Sequence, residues 1–397
     1  MIDIQIILLA IGILLLAGVM LSKLSSFIGI PTLIVFLLLG LFFNGNAYFA
    51  ESVFSYTIIQ YVSICALIII MFSGGLDTDT RKMRPVASKG ASLATLGVLL
   101  TAIVTGVMIH LILGVDIILS LLIGSIISST DAAAVFSIFR SGKIKLKNNL
   151  SELLELESAA NDPMAYILTT SFLYLMIHPT TSILGIIIVF IQSLVLGGIF
   201  GFLSGKLFRK LVEKVNLEAK GLYPVILVAI AILTFAIPEL IGGNGFLAVY
   251  IAGLFIGNAK LPNRKNQLSF FEGLAWVMQV LMFLLLGIFV LPNKLLETAG
   301  VSLVIALVLI FLARPIAVFV SLIPFKVKLK EKIFVSWTGI KGAVPIVFAT
   351  YPLVAGIPQA YMIFDVVFFI TILSVVVQGG TIKYVAEKLD IFVKSKS

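Results

Sequence analysis

The chain has little of what soluble proteins use for charge, disulfide bonds or metal binding. Its 397 residues include one cysteine, Cys65, and two histidines, His110 and His178. This excludes a disulfide framework and a metal cluster built on thiolate or imidazole ligands. Charged residues make up only 12% of the chain, whereas 60% of the residues are hydrophobic. Such a composition excludes a soluble or nucleic-acid-binding protein and indicates a protein that crosses a membrane many times.

The positions of the apolar runs predict an all-α polytopic membrane protein with thirteen transmembrane helices. The connections are short, so we expect a single transmembrane domain over residues 1–397 and no soluble regulatory domain. We interpret the first run as a transmembrane helix and not a cleaved signal peptide, because it follows Asp3 and no basic segment. The predicted helices, numbered 1 to 13, cover residues 4–22, 27–43, 55–76, 88–114, 116–138, 150–177, 181–205, 221–237, 243–259, 267–290, 300–322, 332–353 and 360–382.

The 28 Lys and Arg residues are distributed very unevenly between alternate loops. Twenty-five lie in the loops that follow the odd-numbered helices or in the C-terminal tail, and one, Lys294, lies in the opposite loops. The other two, Arg314 and Lys341, fall within predicted helices. Because basic residues accumulate in cytoplasmic loops, the pattern predicts a multi-pass protein of the cell membrane with its N-terminus outside and its C-terminus in the cytoplasm.

Predicted helices 5 and 12 both contain residues unsuited to a continuous helix. Helix 5 carries the run Ser128-Ser129-Thr130-Asp131, and helix 12 carries Thr338-Gly339-Ile340-Lys341-Gly342 and then Pro345. Unwound backbone is tolerated at membrane depth only inside protein or along a cavity, and matched interruptions mark transporter binding sites. Helices seven positions apart run in opposite directions. We therefore expect inverted repeats of helices 1–6 and 8–13, in which the broken helices 5 and 12 cross.

The most polar stretch within a predicted helix is residues 157–163, with the sequence ESAANDP. Because a helix turns about 100° per residue, Glu157, Ser158, Asn161 and Asp162 fall on one arc of helix 6. Pro163 has no N–H and leaves the carbonyl four residues earlier without its usual partner. A carboxylate, an amide, a hydroxyl and a carbonyl together are oxygen ligands suited to a hard cation.

Asp131, Asp162, Arg314 and Lys341 all fall near the predicted bilayer midplane, and Glu157 lies close to them in sequence. Ionisable groups at that depth are costly, so they require partners or a function. Two charges of each sign at one depth predict a single polar cluster, formed where helices 5, 6, 11 and 12 meet.

These motifs resemble the monovalent cation:proton antiporter family (CPA1), in its electroneutral Asn-Asp branch. Within that branch the chain is most similar to bacterial potassium/proton (NhaP-type) antiporters. Lys341 departs from the pattern, because the family usually has Arg there. The resemblance covers nearly the whole chain and rests on Ser129-Thr130-Asp131, residues 157–163, Ala313-Arg314-Pro315, residues 339–343, residues 71–77, residues 273–276 and Gln378-Gly379.

The resemblance implies secondary active, electroneutral exchange of K⁺ and/or Na⁺ for H⁺ by a homodimer in membrane lipid, without a cofactor. It implies elevator-type alternating access, in which a core moves against a dimer-forming scaffold. The core comprises about residues 88–177 and 300–382, and the scaffold comprises helices 1–3, 7 and 8–10.

Asp162 is the candidate carboxylate that binds H⁺ or a cation in competition. The other candidate ion-binding residues are Asn161, Ser158, Thr130 and Asp131, and the monovalent cation is expected at Asp162, Thr130 and Ser158. Asn161 acts either as a ligand or by orienting Asp162. Glu157 and Arg314 are predicted to form a structural ion pair, and Asp131 and Lys341 to compensate helix dipoles at the crossing.

Two other classes of transport protein remain as alternatives to an antiporter. A passive cation channel would use a ring of acidic residues or repeated filter carbonyls, whereas the chain has one central carboxylate. An organic-anion carrier would need an uncompensated positive site, whereas here the acidic residues match or outnumber Arg314 and Lys341. No motif indicates an enzyme.

Overall fold

The computed structural model describes residues 32–43, 56–131 and 145–393, together with residues 5, 9, 12–13, 15–20, 135–136 and 139. Predicted helix 1 and the second half of predicted helix 5 are therefore only partly described. Helices are labelled below in their chain order among the described residues, which differs from the numbering of the predicted helices.

The described part of the chain is almost entirely helical. Seven of its helices are long and apolar enough to cross a membrane, namely Tyr56–Asp77, Thr80–Leu113, Leu184–Lys214, Leu222–Glu239, Arg264–Ile288, Pro292–Ser321 and Ala360–Lys388. The helices are α1 (Thr32–Phe43), α2 (Tyr56–Asp77), α3 (Thr80–Leu113), α4 (Ile117–Ile126), α5 (Leu150–Ile177), α6 (Ile183–Lys214), α7 (Leu222–Glu239), α8 (Gly245–Gly257), α9 (Arg264–Ile288), α10 (Pro292–Ser321), α11 (Leu329–Trp337), α12 (Ala343–Val354) and α13 (Ala360–Lys388).

Several helix ends differ from the sequence-based boundaries. The helix predicted from 88 begins at Thr80, the helix predicted from 300 begins at Pro292, and the helix predicted to end at 205 continues to Lys214. These added turns carry polar and basic residues. A search for apolar runs therefore misses these turns. Charged side chains at helix ends nevertheless reach the polar interface of the membrane at little cost. Three of the described helices also contain π-helical turns, at Leu93–Gly97 in α3, Leu309–Ala313 in α10 and Val375–Gly379 in α13.

The helices pack in two groups. The α8 group contains α1, α2 and α6–α9, with α8 packed between α2, α6 and α7. The α5 group contains α3–α5 and α10–α13, with α4 packed against α3 and α5 and with α10 packed against α13. Buried apolar side chains from both groups form a continuous hydrophobic core. The two groups meet along α5, which contacts α6 and α8.

Helices α2 and α8 approach so closely that their backbones touch. A Cβ atom on Gly75 would lie 2.6 Å from the carbonyl oxygen of Tyr250, and one on Gly253 would lie 2.7 Å from the carbonyl oxygen of Phe72. Small residues at such positions let two helices in a membrane pack by direct backbone contact. The pair α2–α8 therefore behaves as one rigid unit.

A two-residue ladder lies next to the start of α5. Strand β1 (Lys145–Leu146) pairs antiparallel with β2 (Phe392–Val393), which follows α13. The side chain of Lys147 forms an exposed ion pair with Asp390 at 2.9 Å. Ile391 is buried in a second apolar cluster together with residues of α5 and α11. The chain after α13 is thereby attached to the segment that leads into α5.

The α2–α8 contact predicts different effects for two adjacent glycines. Gly75→Ala should lower the free energy of unfolding by roughly 1–3 kcal/mol, because the added methyl group overlaps backbone atoms of α8. Gly74→Ala is the matched control, since a Cβ at Gly74 meets nothing within 4 Å. Thermal unfolding of the purified protein in detergent measures both. Equal melting temperatures for the two variants would contradict the close approach.

Candidate functional site

The site is built on two interrupted stretches of helix. Helix α4 ends at Ile126, while α11 ends at Trp337 and α12 begins at Ala343. The two non-helical segments that follow α4 and α11 are hydrogen-bonded to each other, because the N–H of Asp131 donates to the carbonyl of Ile340 at 2.7 Å. Both interruptions fall on the runs that the sequence marked as unsuited to a helix.

Two charged side chains lie at the ends of these interrupted helices. The ammonium group of Lys341 is buried and donates to the carbonyls of Ser129 at 2.9 Å and Ser128 at 3.4 Å, just beyond the C-terminal end of α4. The carboxylate of Asp131 lies against Gly342, the N-cap residue of α12. A cation at a helix C-terminus and an anion at a helix N-terminus each stabilise the aligned backbone dipoles.

Asp162 lies in the middle of α5 and faces the unwound segment after α4. The hydroxyl of Ser129 donates to its Oδ1 at 2.5 Å. The hydroxyl of Ser158 donates to the carbonyl of Thr130 at 2.9 Å, and the amide of Asn161 donates to the Thr130 hydroxyl at 2.6 Å. These hydrogen bonds fix the Thr130 carbonyl and the Asp162 carboxylate, two oxygen acceptors, where α5 meets the segment after α4.

Asn161 is completely buried. Its Nδ2 donates to the hydroxyl of Thr130, whereas its Oδ1 is buried without a hydrogen-bond partner among the described residues. A buried amide oxygen without a partner costs free energy. The arrangement keeps a strong acceptor beside Asp162 without adding a second negative charge.

Glu157 and Arg314 form a buried ion pair between α5 and α10. The Nη2 atom of Arg314 donates to Oε1 of Glu157, and both side chains are at most 3% exposed. Gly339 makes room for the guanidinium group, because a Cβ there would lie 2.7 Å from Arg314 Nε. The pair fixes α5 to α10 one turn away from Asp162.

A cavity of about 520 Å³ connects Asp162 with the protein surface. Its inner end is lined by Ser129, Thr130, Ser158 and Asp162. Its mouth lies at the end of α2 and the start of α5, where it is lined by Asp77, Ser151 and Glu155. A hydrated cation can approach the carboxylate along this path, past acidic side chains that attract it.

On the other side of Asp162 an aromatic layer fills the space. Tyr166, one turn further along α5, packs against Phe246, Phe348 and Tyr351 with ring centroids 5.0, 5.8 and 5.6 Å apart. Phe246 and Phe348 are each only 1% exposed. Asp162 thus lies at the closed end of a cavity that opens on one side.

The sequence-predicted residues meet in one place: Thr130, Asp131, Glu157, Ser158, Asn161, Asp162, Arg314 and Lys341 all lie at the junction of α4, α5, α10 and α12. Sequence reasoning missed Ser129 as the partner of Asp162, although it belongs to the same polar run. It also missed Gln378, whose amide closes the end of α11 by donating to the Trp337 carbonyl at 2.9 Å.

Known proteins match nearly the whole chain. The family model described as sodium/hydrogen exchanger, transmembrane, matches residues 11–388. The chain is 42% identical to the K(+)/H(+) antiporter NhaP of Alkalimonas amylolytica, over 98% of this chain and 68% of that protein. It is 37% identical to the K(+)/H(+) antiporter NhaP2 of Shewanella sp. (strain ANA-3), over 92% of this chain and 64% of that protein. The chain thus spans about two thirds of the length of these relatives.

The fold also matches a solved structure. The sodium proton antiporter MjNhaP1 of Methanocaldococcus jannaschii at pH 8 superposes with a TM-score of 0.83 at 24% sequence identity, covering 97% of this chain and 99% of that one. At this identity the likeness establishes the fold, and the family follows from the sequence matches.

The buried ion pair predicts a loss of stability when one partner is removed. Glu157→Ala should lower the free energy of unfolding by about 3–5 kcal/mol, because Arg314 is left buried without its counter-charge. Glu152→Ala is the control, since it removes a carboxylate from the first turn of the same helix and should cost less than about 1 kcal/mol. Thermal unfolding in detergent measures both variants. A stable Glu157→Ala protein that has lost ion binding would assign Glu157 to the ion and not to the fold.

Proposed function

The chain belongs to the transmembrane sodium/hydrogen exchanger family, a family of cation/proton antiporters, and we propose that it exchanges K⁺ and/or Na⁺ for H⁺ one for one. Both NhaP relatives are named for K⁺, which makes K⁺ the first cation to test. The observation that carries the proposal is the carboxylate of Asp162 at the closed end of a cavity, beside hydroxyl and carbonyl oxygens.

The proposed mechanism is competition for one carboxylate. Deprotonated Asp162 binds the cation together with the Thr130 carbonyl and the hydroxyl of Ser158 or Thr130. Protonated Asp162 is neutral and cannot hold the cation. Because the two ions cannot be bound together, loading one releases the other, and a gradient of one drives transport of the other. Asp131 and Lys341 act indirectly, by stabilising the unwound segments that present these oxygens.

We propose that the α5 group is the moving core and the α8 group the scaffold. The core then comprises about residues 88–177 and 300–382, which carry Asp162, Glu157 and Arg314 as one body. Closer packing within each group than between the two groups supports rigid-body, elevator-type motion. A cavity that ends at an aromatic layer favours alternating access over a continuous channel.

We also propose an arrangement of the chain in the membrane. Thirteen transmembrane helices form two inverted repeats, with the N-terminus outside and the C-terminus in the cytoplasm of the cell membrane. The cavity mouth at Asp77 then faces the cytoplasm, and an inward proton gradient drives cation efflux. The scaffold forms the interface of a homodimer.

Asp162→Asn should abolish exchange, because an amide neither releases a proton nor neutralises a cation. Ser158→Ala should retain exchange with a raised KM for the cation, since it removes one neutral ligand. Cation-induced proton movement in proteoliposomes, with K⁺, Na⁺ and Li⁺ compared, measures both. Asp79→Asn is the matched control, because Asp79 caps the start of α3 and Asn caps helices equally well. Normal exchange by a folded Asp162→Asn protein would exclude the mechanism.

One-for-one exchange predicts transport without net charge movement. Asn161 supplies an amide where a second carboxylate would add another titrating charge. A step in cation concentration should therefore move protons across a supported membrane without a transient current, while the same preparation shows proton exchange by a pH-sensitive dye. A current in the wild-type protein that Asp162→Asn abolishes would contradict the one-for-one ratio.

A further inference from the structure

Asn244 joins three helices at a completely buried position. It precedes α8, and its side-chain oxygen caps that helix by accepting from the N–H of Leu247 at 2.9 Å. Its backbone N–H donates to the carbonyl of Ser193 in α6 at 3.0 Å. Its Nδ2 donates to the carbonyl of Pro163 in α5 at 2.8 Å. That carbonyl belongs to the residue directly after Asp162.

A second hydrogen bond joins the same helices one turn further along α5. The hydroxyl of Tyr166 donates to Oε2 of Glu239 at 3.2 Å. Oε1 of Glu239 accepts from the N–H of Gly245, the first residue of α8, at 2.8 Å. Glu239, the last residue of α7, therefore links α5 to the start of α8. The hydrogen bonds Asn244–Pro163 and Tyr166–Glu239 are together called the latch.

The latch connects parts that the proposed mechanism moves apart. Asn244 and Glu239 belong to the α8 group, whereas Pro163 and Tyr166 belong to α5, which carries Asp162. Both bonds lie beyond Asp162, on the side away from the cavity mouth, next to the aromatic layer. A displacement of α5 along α8 by about 2 Å or more takes both pairs out of hydrogen-bonding range.

We propose that Asn244, supported by Glu239, is a positioning residue for ion exchange. It holds α5 in the state whose cavity opens beside Asp77, and each transport cycle breaks and re-forms the latch. This rests on the proposed function, because it assigns a role within that cycle.

The chemistry of the latch couples its opening to the entry of water. When α5 moves, the amide of Asn244 and the carbonyl of Pro163 lose each other as partners. A buried polar group without a partner is costly, so the open latch requires water on that side of Asp162. The latch therefore favours two arrangements over intermediates, namely a closed dry side and an open hydrated one. A purely apolar contact would impose no such choice.

Asn244→Ser removes the hydrogen bond to Pro163 while it keeps the cap of α8. Serine is a good N-cap and keeps the acceptor for α8, but its side chain is too short to reach Pro163. Loss of one buried hydrogen bond should shift the ratio of the two access states roughly 2- to 10-fold away from the state in this structure. Apparent affinity on each side scales with the population of the state open to that side. The cation KM measured from the side opposite the cavity mouth should therefore fall by the same factor, and the KM from the mouth side should rise.

The measurement uses everted and right-side-out vesicles of the full chain, with K⁺ and Na⁺ as the ions and proton movement as the readout. Tyr166→Phe removes the hydroxyl bonded to Glu239 and keeps the ring, so it should shift the two KM values in the same directions. Gln192→Ala is the matched control. It removes a 3.2 Å hydrogen bond to the carbonyl of Ile241, in the same loop, and leaves both hydrogen bonds of the latch in place.

The possible results distinguish a wrong assignment of the latch from a wrong proposed function. If wild type exchanges ions and both latch variants leave the two KM values unchanged, the latch is overturned and the proposed function stands. If wild type moves no protons with any cation, the proposed function fails first. If Gln192→Ala shifts the KM values as much as Asn244→Ser does, the effect belongs to the loop and not to the contact with α5. If Asn244→Ser does not fold, the two KM values of Tyr166→Phe test the latch on their own.

Discussion

The whole site depends on one constraint: backbone groups that leave a helix at membrane depth must find partners inside the protein. The two interrupted helices provide such partners for each other. The N–H of Asp131 bonds to Ile340 across the crossing, and the Lys341 ammonium group covers the free carbonyls at the end of α4. Because these partners are fixed, the Thr130 carbonyl is free of any helix and accepts a hydrogen bond from Ser158, on the helix that carries Asp162.

The buried charged side chains differ in the groups that surround them. Glu157 has a full counter-charge in Arg314, and Lys341 and Asp131 sit at helix ends of opposite polarity. Asp162 is instead hydrogen-bonded by the neutral hydroxyl of Ser129 and faces a cavity. A carboxylate with neutral partners can accept either a proton or a cation, whereas one held by arginine is already neutralised. Position relative to the other charges, more than residue type, distinguishes Asp162, the proposed transport residue, from Glu157, Asp131 and Lys341.

Much of this could be predicted from the sequence. The two interruptions were predictable because runs of glycine and hydroxyl residues inside an apolar segment oppose a continuous helix, and the ESAANDP stretch identified α5 as the helix carrying the acids. Helix ends were less predictable, since Thr80 and Pro292 begin turns whose polar residues look like loop. Pairwise contacts were the least predictable. Nothing in the local pattern around Asn244 indicates Pro163, because the two are brought together only by the packing of α8 against α5.

The short ladder between β1 and β2 has a mechanical consequence. The chain emerging at Val393 is attached to the segment that enters α5, through backbone pairing, the Lys147–Asp390 ion pair and the buried side chain of Ile391. The C-terminal end of the described chain is therefore coupled to the helix that carries Asp162. If α5 moves as proposed, a probe, tether or load attached after this strand would move with it, and a force applied there would act on that motion.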